Sequence, residues 1–225
     1  MPFPTTFLLD GAGLWAEIRG LPLRAPGPVV LLDRDGVLNE DLGYVGRGDQ
    51  VLMLSGVCEA VAACNAMGVP VAIVTNQSGI ARGHFGWDGF HEVQRAIDLA
   101  ISKAGGWVDG VFACAYHGSG EGTLAVPDHP WRKPRPGMLN LALDIFNGQR
   151  ARSAMIGDKT SDMEAAAAAN IQFKFLISAD VSCTASGYSG IVSYANPAEA
   201  ISAFLTELRR AQVQPPPGDG AFPAY

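Results

Sequence analysis

Basic residues are scarce in this chain. Among its 225 residues, 16 Lys and Arg face 22 Asp and Glu, a formal net charge of −6. Neutralising a polyanion takes a basic surface, so this balance argues against nucleic acid or an anionic membrane as the partner. Cysteine is scarce too. Cys58, Cys64, Cys114 and Cys183 form no Cys-x-x-Cys pair and no framework spacing, so reduced thiols and a cytoplasmic setting are expected. Long apolar runs are missing. Residues 69–74, one of the apolar runs, fall well short of the ~20 residues of a spanning helix. Residues 1–13 hold no Lys or Arg, and their run Phe7-Leu8-Leu9 is far too short for a signal peptide. Only 17% of residues are charged, yet the 48% hydrophobic content is too high for a disordered chain. One globular domain with a sizeable core remains.

What is present alternates. Residues 1–27 are rich in Gly and Pro and read as an irregular surface extension. Short apolar runs at 29–32, 69–74, 107–113, 153–156, 173–177 and 191–194 read as strands. Helical spacing occupies 57–67, 88–104, 137–146, a segment opened by Ser161 and Glu164 and closed near Asn170, and 197–210. Gly68 stands where a helix stop is expected. Residues 28–211 therefore form one α/β domain, a three-layer sandwich around a mainly parallel sheet. The tail 212–225, with Pro215-Pro216-Pro217-Gly218, is expected to be disordered.

Three polar clusters each follow a strand, where ligands of such folds bind. Asp33-Arg34-Asp35-Gly36 puts two carboxylates two residues apart. Repulsion separates their protonation, so one can stay an anionic nucleophile while the other keeps a proton to give away. Carboxylates also suit Mg²⁺; an Asp-rich turn or a partial calcium loop is the plainer alternative. In the segment 157–162, Asp158 can complete a metal site with Asp33. Asp162 can orient that cluster from behind, or simply complement a helix dipole. Thr75-Asn76-Gln77-Ser78 offers a hydroxyl, amides and backbone N–H groups to phosphate oxygens, and is otherwise an ordinary polar turn. Arg132-Lys133-Pro134-Arg135 concentrates three of the few basic residues, enough to draw in an anion or to form a solvated basic loop.

In order, Asp-x-Asp-Gly, Thr, Lys-Pro and Gly-Asp-x-x-x-Asp resemble the haloacid dehalogenase superfamily. Asp41-Leu42-Gly43-Tyr44-Val45, the segment from Thr75 through Arg82-Gly83, Arg132-Lys133-Pro134 and Gly157-Asp158-Lys159 are more closely similar to heptose bisphosphate phosphatases, over about residues 29–210. Histidinol-phosphate phosphatases carry similar motifs. The resemblance implies a Rossmann-like fold without a large cap domain, and Mg²⁺ as cofactor. It implies that Asp33 attacks phosphorus to form an aspartyl-phosphate. It implies, too, that Asp35 protonates the leaving alkoxide and then deprotonates water. It further implies that Asp33, the Asp35 carbonyl and Asp158 hold Mg²⁺, and that Thr75 and Lys133 bind the transferring phosphoryl group. Asp41, Tyr44, Asn76, Gln77, Ser78, Arg132 and Lys159 then lie near substrate.

One part departs from the family pattern. Its zinc loop, Cys-x-His followed by Cys-x-Cys before Arg-Lys-Pro, is broken: Cys114-Ala115-Tyr116-His117 and Asp128-His129-Pro130-Trp131 stand in its place. A rearranged zinc site of Cys114, His117, Asp128 and His129 has suitable ligand types. The alternative is a buried Cys114 thiol and a loop held by Trp131 and prolines. Trp15 is expected only to pack on the core. The expectation is a monomeric phosphomonoesterase for a small phosphorylated metabolite, heptose 1,7-bisphosphate first and histidinol phosphate second. A polynucleotide 3′-phosphatase fits the acidic balance poorly. A non-catalytic phosphate-sugar sensor is the rival from another class, although Asp35, the proton-handling residue, is present.

Overall fold

The computed structural model describes residues 5–19, 25–179 and 190–213. Eight strands form one sheet: β1 (Thr5–Leu8), β2 (Leu14–Ile18), β3 (Val30–Leu32), β4 (Val71–Asn76), β5 (Gly110–Cys114), β6 (Ala154–Gly157), β7 (Phe173–Ile177) and β8 (Ile191–Tyr194). Six helices accompany them: α1 (Val57–Ala66), α2 (Ser78–Ala81), α3 (Trp87–Lys103), α4 (Gly137–Ile145), α5 (Thr160–Ala168) and α6 (Pro197–Val213). The strand order is β1-β2-β5-β4-β3-β6-β7-β8. From β5 to β8 every pairing is parallel.

Parallel strands covered on both faces read as unbroken apolar runs, yet their side chains still alternate. Val30, Leu32, Val71, Ile73, Val111, Ala113 and Ile156 face one core with Val57, Phe90, Ile97 and Phe204, from α1, α3 and α6. Leu31, Ala72, Val74, Phe112 and Met155 face the other core, with Met138, Leu139 and Ala142 of α4 and Met163 and Ala165 of α5. Two helical layers thus enclose the sheet. The excursion between β3 and α1 holds one three-residue 3₁₀ turn, Gly48–Gln50, rather than a cap domain. No described helix is long and apolar enough to cross a membrane.

Residues 5–18 correct the expected irregular extension. They form an antiparallel hairpin that adds to the sheet, with β2 against β5 in the register Leu14↔Cys114 to Ile18↔Gly110. Its turn is tied by Asp10, whose Oδ1 accepts the backbone N–H groups of Ala12, Gly13 and Leu14 at 3.0, 3.0 and 3.1 Å. Trp15 stacks on Trp87 at 5.4 Å and packs edge-on to Phe90. Flanking Gly and Pro hide five strand residues whose partner lies about a hundred positions away. The Asp-Gly between two apolar runs was the available signal.

Two boundaries also differ. The expected cap at Ser161 gives way to a helix starting at Thr160, with Asp162 reaching back to accept the Lys159 N–H at 3.0 Å. Helix α6 continues to Val213, into the expected tail, whose remainder, like Cys183, lies outside the described residues. Gly68 does follow α1, with φ +69°, a left-handed conformation that glycine adopts without penalty.

Candidate active site

Strand β3 lies in the middle of the sheet with β4 on one side and β6 on the other. The order of strand connections reverses there, so the loops leaving their carboxyl ends open a crevice. Asp33 follows β3, Thr75 and Asn76 end β4, and Asp158 follows β6. Lys133 enters from the segment between β5 and α4.

Lys133 is the hub. It is only 3% exposed, and its Nζ lies 3.0 Å from Asp33 Oδ1, in contact with Asp162 Oδ1, and donates to the Val74 carbonyl at 2.8 Å. Its backbone is clamped by Asn76: Asn76 Oδ1 accepts the Lys133 N–H at 3.1 Å, and Asn76 Nδ2 donates to the Lys133 carbonyl at 2.9 Å. Burial disfavours the ammonium, but Asp162 and Asp33 outweigh it and hold Lys133 above the ordinary lysine range.

Oxygens of Asp33, Asp158 and Asp162 lie within 4.8 Å of one another. Burial pushes Asp33 upward; Lys133 opposes the shift, and Asp162, Asp158 and Asp35 add to it. Burial likewise raises Asp158, against the pull of Lys159. Asp158 Oδ1 is buried with no hydrogen-bond partner. Three carboxylates around one ammonium leave surplus negative charge, and one buried oxygen, Asp158 Oδ1, has no hydrogen bond to offset it. That donor set fits a hard divalent cation. Close approach is allowed by Gly36, where a Cβ would stand 2.4 Å from Asp158 Oδ2.

The second aspartate is held quite differently. Arg34, 1% exposed, donates from Nη2 to Asp35 Oδ2 at 2.9 Å and to Gln77 Oε1 at 3.2 Å. Asn39 Nδ2 donates to Asp35 Oδ1 at 2.9 Å, and Gln77 Nε2 donates to Asp35 Oδ2 at 3.1 Å and to Thr75 Oγ1 at 2.8 Å. Burial alone would raise Asp35, but Arg34, Asn39 and Gln77 together bring it below the ordinary carboxylate range. Burial and the neighbouring carboxylates thus push Asp33 toward protonation, whereas Arg34, Asn39 and Gln77 favour the anion of Asp35. A cation beside Asp33 would restore its anion. Arg34 and Asn39 escaped the sequence reading; the arginine between the two aspartates was the visible signal.

Of the residues expected near substrate, Asp41, Tyr44, Asn76, Gln77, Ser78 and Lys159 line one cleft with Arg34 and Asp35. Lys159 Nζ spans it, 3.0 Å from Asp41 Oδ2 and 3.6 Å from Asp158 Oδ2. Arg132 stands aside from that cleft, its Nη1 donating to the Tyr116 carbonyl at 3.1 Å.

The four candidate zinc ligands do not converge. Cys114 Sγ lies 4.0 Å from His129 Nδ1, but Asp128 pairs with Arg135 and His117 faces Arg82 Nη2 at 3.1 Å. Among the described residues, only Asp33, Asp158 and Asp162 form a cluster of three such ligands. Cys114 ends β5 and is buried, and His129 stacks on Tyr116 beside it; the other two candidates, Asp128 and His117, are taken up by arginines instead.

Residues 3–170 match the haloacid dehalogenase-like hydrolase family. The chain belongs to that family. Among similar curated proteins of this kind is a D-glycero-beta-D-manno-heptose-1,7-bisphosphate 7-phosphatase of Mesorhizobium japonicum. It is 42% identical over 175 residues, covering 75% of this chain and 78% of its own. One of the same name from Yersinia pestis is 40% identical over 160 residues, covering 71% and 85%. Among solved haloacid dehalogenase-like structures, the D,D-heptose 1,7-bisphosphate phosphatase of B. bronchiseptica, complexed with magnesium and phosphate, superposes with a TM-score of 0.69. It is 29% identical, over 80% of this chain and 99% of that one. This haloacid dehalogenase-like hydrolase is a phosphatase by that kinship.

Proposed function

We propose that the protein is a Mg²⁺-dependent phosphomonoesterase that removes the 7-phosphate of heptose 1,7-bisphosphate. One observation carries the reading: Asp33, Asp158, Asp162 and Lys133 meet in a buried cluster at the carboxyl end of the central strands, beside a polar cleft. The relatives' substrate supports the choice of ester, and the magnesium and phosphate of the related structure support the choice of cation.

Asp33 and Asp158, with the Asp35 carbonyl, would hold Mg²⁺. When bound, that cation neutralises phosphate charge and keeps the nucleophile ionised. Asp33 then attacks phosphorus through a carboxylate oxygen, and the bond from phosphorus to the sugar oxygen breaks. Asp35 gives its proton to that alkoxide. Although Asp35 favours its anion at rest, an arriving phosphate dianion raises its affinity for a proton. In the second half, water attacks the aspartyl-phosphate, loses a proton to Asp35 and frees Asp33 and inorganic phosphate. Thr75 and Lys133 hold the transferring oxygens, as the resemblance assigns them. Lys159 and Asp41 bracket the cleft where the sugar would sit.

No single part suffices. Accelerations of phosphate-monoester hydrolysis reach ~10²¹, and acid–base help supplies ~10²–10⁴ of that; covalent, cationic and positional effects must make up the rest. The test is phosphate release from heptose 1,7-bisphosphate, histidinol phosphate and other sugar phosphates, with and without Mg²⁺. Preference for the heptose ester, lost in Asp33→Asn, is expected. Full activity of Asp33→Asn refutes the nucleophile, and a clear preference for histidinol phosphate refutes the substrate. Tight binding without turnover would make the protein a sensor.

A further inference from the structure

The N-terminal hairpin takes no part in the chemistry above, yet its turn is connected to the loop that carries Arg132. Asp10 binds its own turn through Oδ1 and accepts the Tyr116 hydroxyl at Oδ2. The turn is anchored in turn: Trp87 Nε1 donates to the Ala12 carbonyl at 2.8 Å, and the Ala115 N–H donates to the Gly13 carbonyl at 2.8 Å. Gly13 lets the Tyr116 ring lie against it, because a Cβ there would stand 2.6 Å from two ring carbons. The same ring stacks on His129, with centroids 4.4 Å apart and planes 20° from parallel. His129 Nδ1 accepts the Trp131 N–H at 3.1 Å. Arg132 Nη1 donates back to the Tyr116 carbonyl.

Arg132 depends on this arrangement more than Lys133 does. Lys133 is held independently by Asn76, Val74, Asp33 and Asp162. Arg132 is half-buried, and no carboxylate pairs with it among the described residues. Its direction is set by the Tyr116 carbonyl, and Tyr116 is set by Asp10, Gly13 and His129.

The geometry points to the hairpin turn as a clasp that positions Arg132 for substrate, through Asp10, Tyr116 and His129. This rests on the proposed phosphatase function and on the family resemblance that puts Arg132 near substrate; in the structure its side chain lies beside the cleft rather than in its lining. Asp10, Tyr116 and His129 are positioning residues, and their effect falls on substrate binding rather than on the chemical step. The segment that the family pattern leads one to expect as a zinc loop is here organised by an aromatic stack and a carboxylate from the other end of the chain.

Steady-state kinetics on heptose 1,7-bisphosphate separate this role from a structural one. Asp10→Ala and Tyr116→Phe should each raise KM about three- to tenfold, the range of one hydrogen bond, with kcat within about twofold. Asp10→Asn keeps one carbonyl oxygen for the turn N–H groups, and its amide N–H can donate to the Tyr116 oxygen instead of accepting from it, so it should restore most of the wild-type KM. In an Arg132→Gln background the Tyr116→Phe effect should vanish, because both changes act through one group. A merely structural role lowers the active fraction, so a fall in kcat with unchanged KM would overturn the clasp. A raised KM in Arg132→Gln, with none in Asp10→Ala or Tyr116→Phe, would overturn the clasp alone. An unchanged KM in Arg132→Gln would remove the premise and the clasp together. Asp10 is exposed, so its variants should fold, and unfolding midpoints check that they do.

Discussion

Replacing Gly36 by alanine separates two costs that usually travel together. Gly36 has φ +83°, and holding an alanine in the left-handed region costs about 1–2 kcal/mol. The added Cβ would also stand 2.4 Å from Asp158 Oδ2 and 2.6 Å from its Cγ, against 3.4 Å for an ordinary contact. The carboxylate must therefore retreat by about 1 Å. It can do so readily, since Oδ1 has no partner to lose and Lys159 Nζ is 3.6 Å from Oδ2. Folding stability should thus fall by only the backbone cost, about 1–2 kcal/mol. Function should fall much further, because a 1 Å displacement within a catalytic cluster costs about 10²-fold in rate. Urea unfolding in EDTA reads the first quantity. Phosphate release titrated with Mg²⁺ reads the second, and the half-saturating Mg²⁺ concentration should rise about tenfold or more. Gly68→Ala is the control, with φ +69° and nothing within 4 Å of the added Cβ; it should lose similar stability and keep the Mg²⁺ dependence of the wild type. If Gly36→Ala also keeps that dependence, Asp158 does not serve the cation site.

Two further outcomes test the surroundings of the cluster. Lys133→Met leaves Asp33 and Asp162 facing each other without their buried cation, so unfolding in EDTA should show a loss of about 3–5 kcal/mol; Mg²⁺ should recover part of it, and unchanged stability would refute the ionic cage. Burial pushes the thiols of Cys64 and Cys114 up to about 12, so the reactive thiolate is about 10⁻⁴ of each at pH 8. Peptide mapping after iodoacetamide at pH 8 should find both unmodified in the folded protein, with labelling rising as pH climbs toward 12; ready labelling of Cys114 at pH 8 would contradict its burial.

Much of the architecture was legible because its signals are local. Strands β7 and β8 fall on the apolar runs that announced them, and β3 to β6 lie within a few residues of theirs. A buried parallel strand must be apolar on both faces, and a helix must repeat near every fourth residue, whatever the rest of the chain does. The hairpin was hidden because β2 is completed by β5, and nothing within residues 1–27 records that partner. The start of α5 shifted because Asp162, held by Lys133, caps the helix in place of Ser161.

The chemistry divides along the same line. Asp33, Asp35 and Asp158 stood out as candidates by their type and their places after strands, while Thr75 and Lys133 were singled out by the family resemblance. By itself, the sequence determined that acids, amides and a lysine would gather at one edge of a parallel sheet, because strand-end loops of such sheets share that edge. Only the tertiary structure decided which carboxyl is pushed toward protonation, since that depends on Arg34 and Gln77 meeting Asp35 while Asp158 and Asp162 crowd Asp33. It also decided that Asp128 and His117 turn to arginines rather than join Cys114 and His129, and that a hairpin from the start of the chain reaches Tyr116. Periodicity is a property of neighbours along the chain; a charge environment belongs to neighbours across space, and those are set by packing.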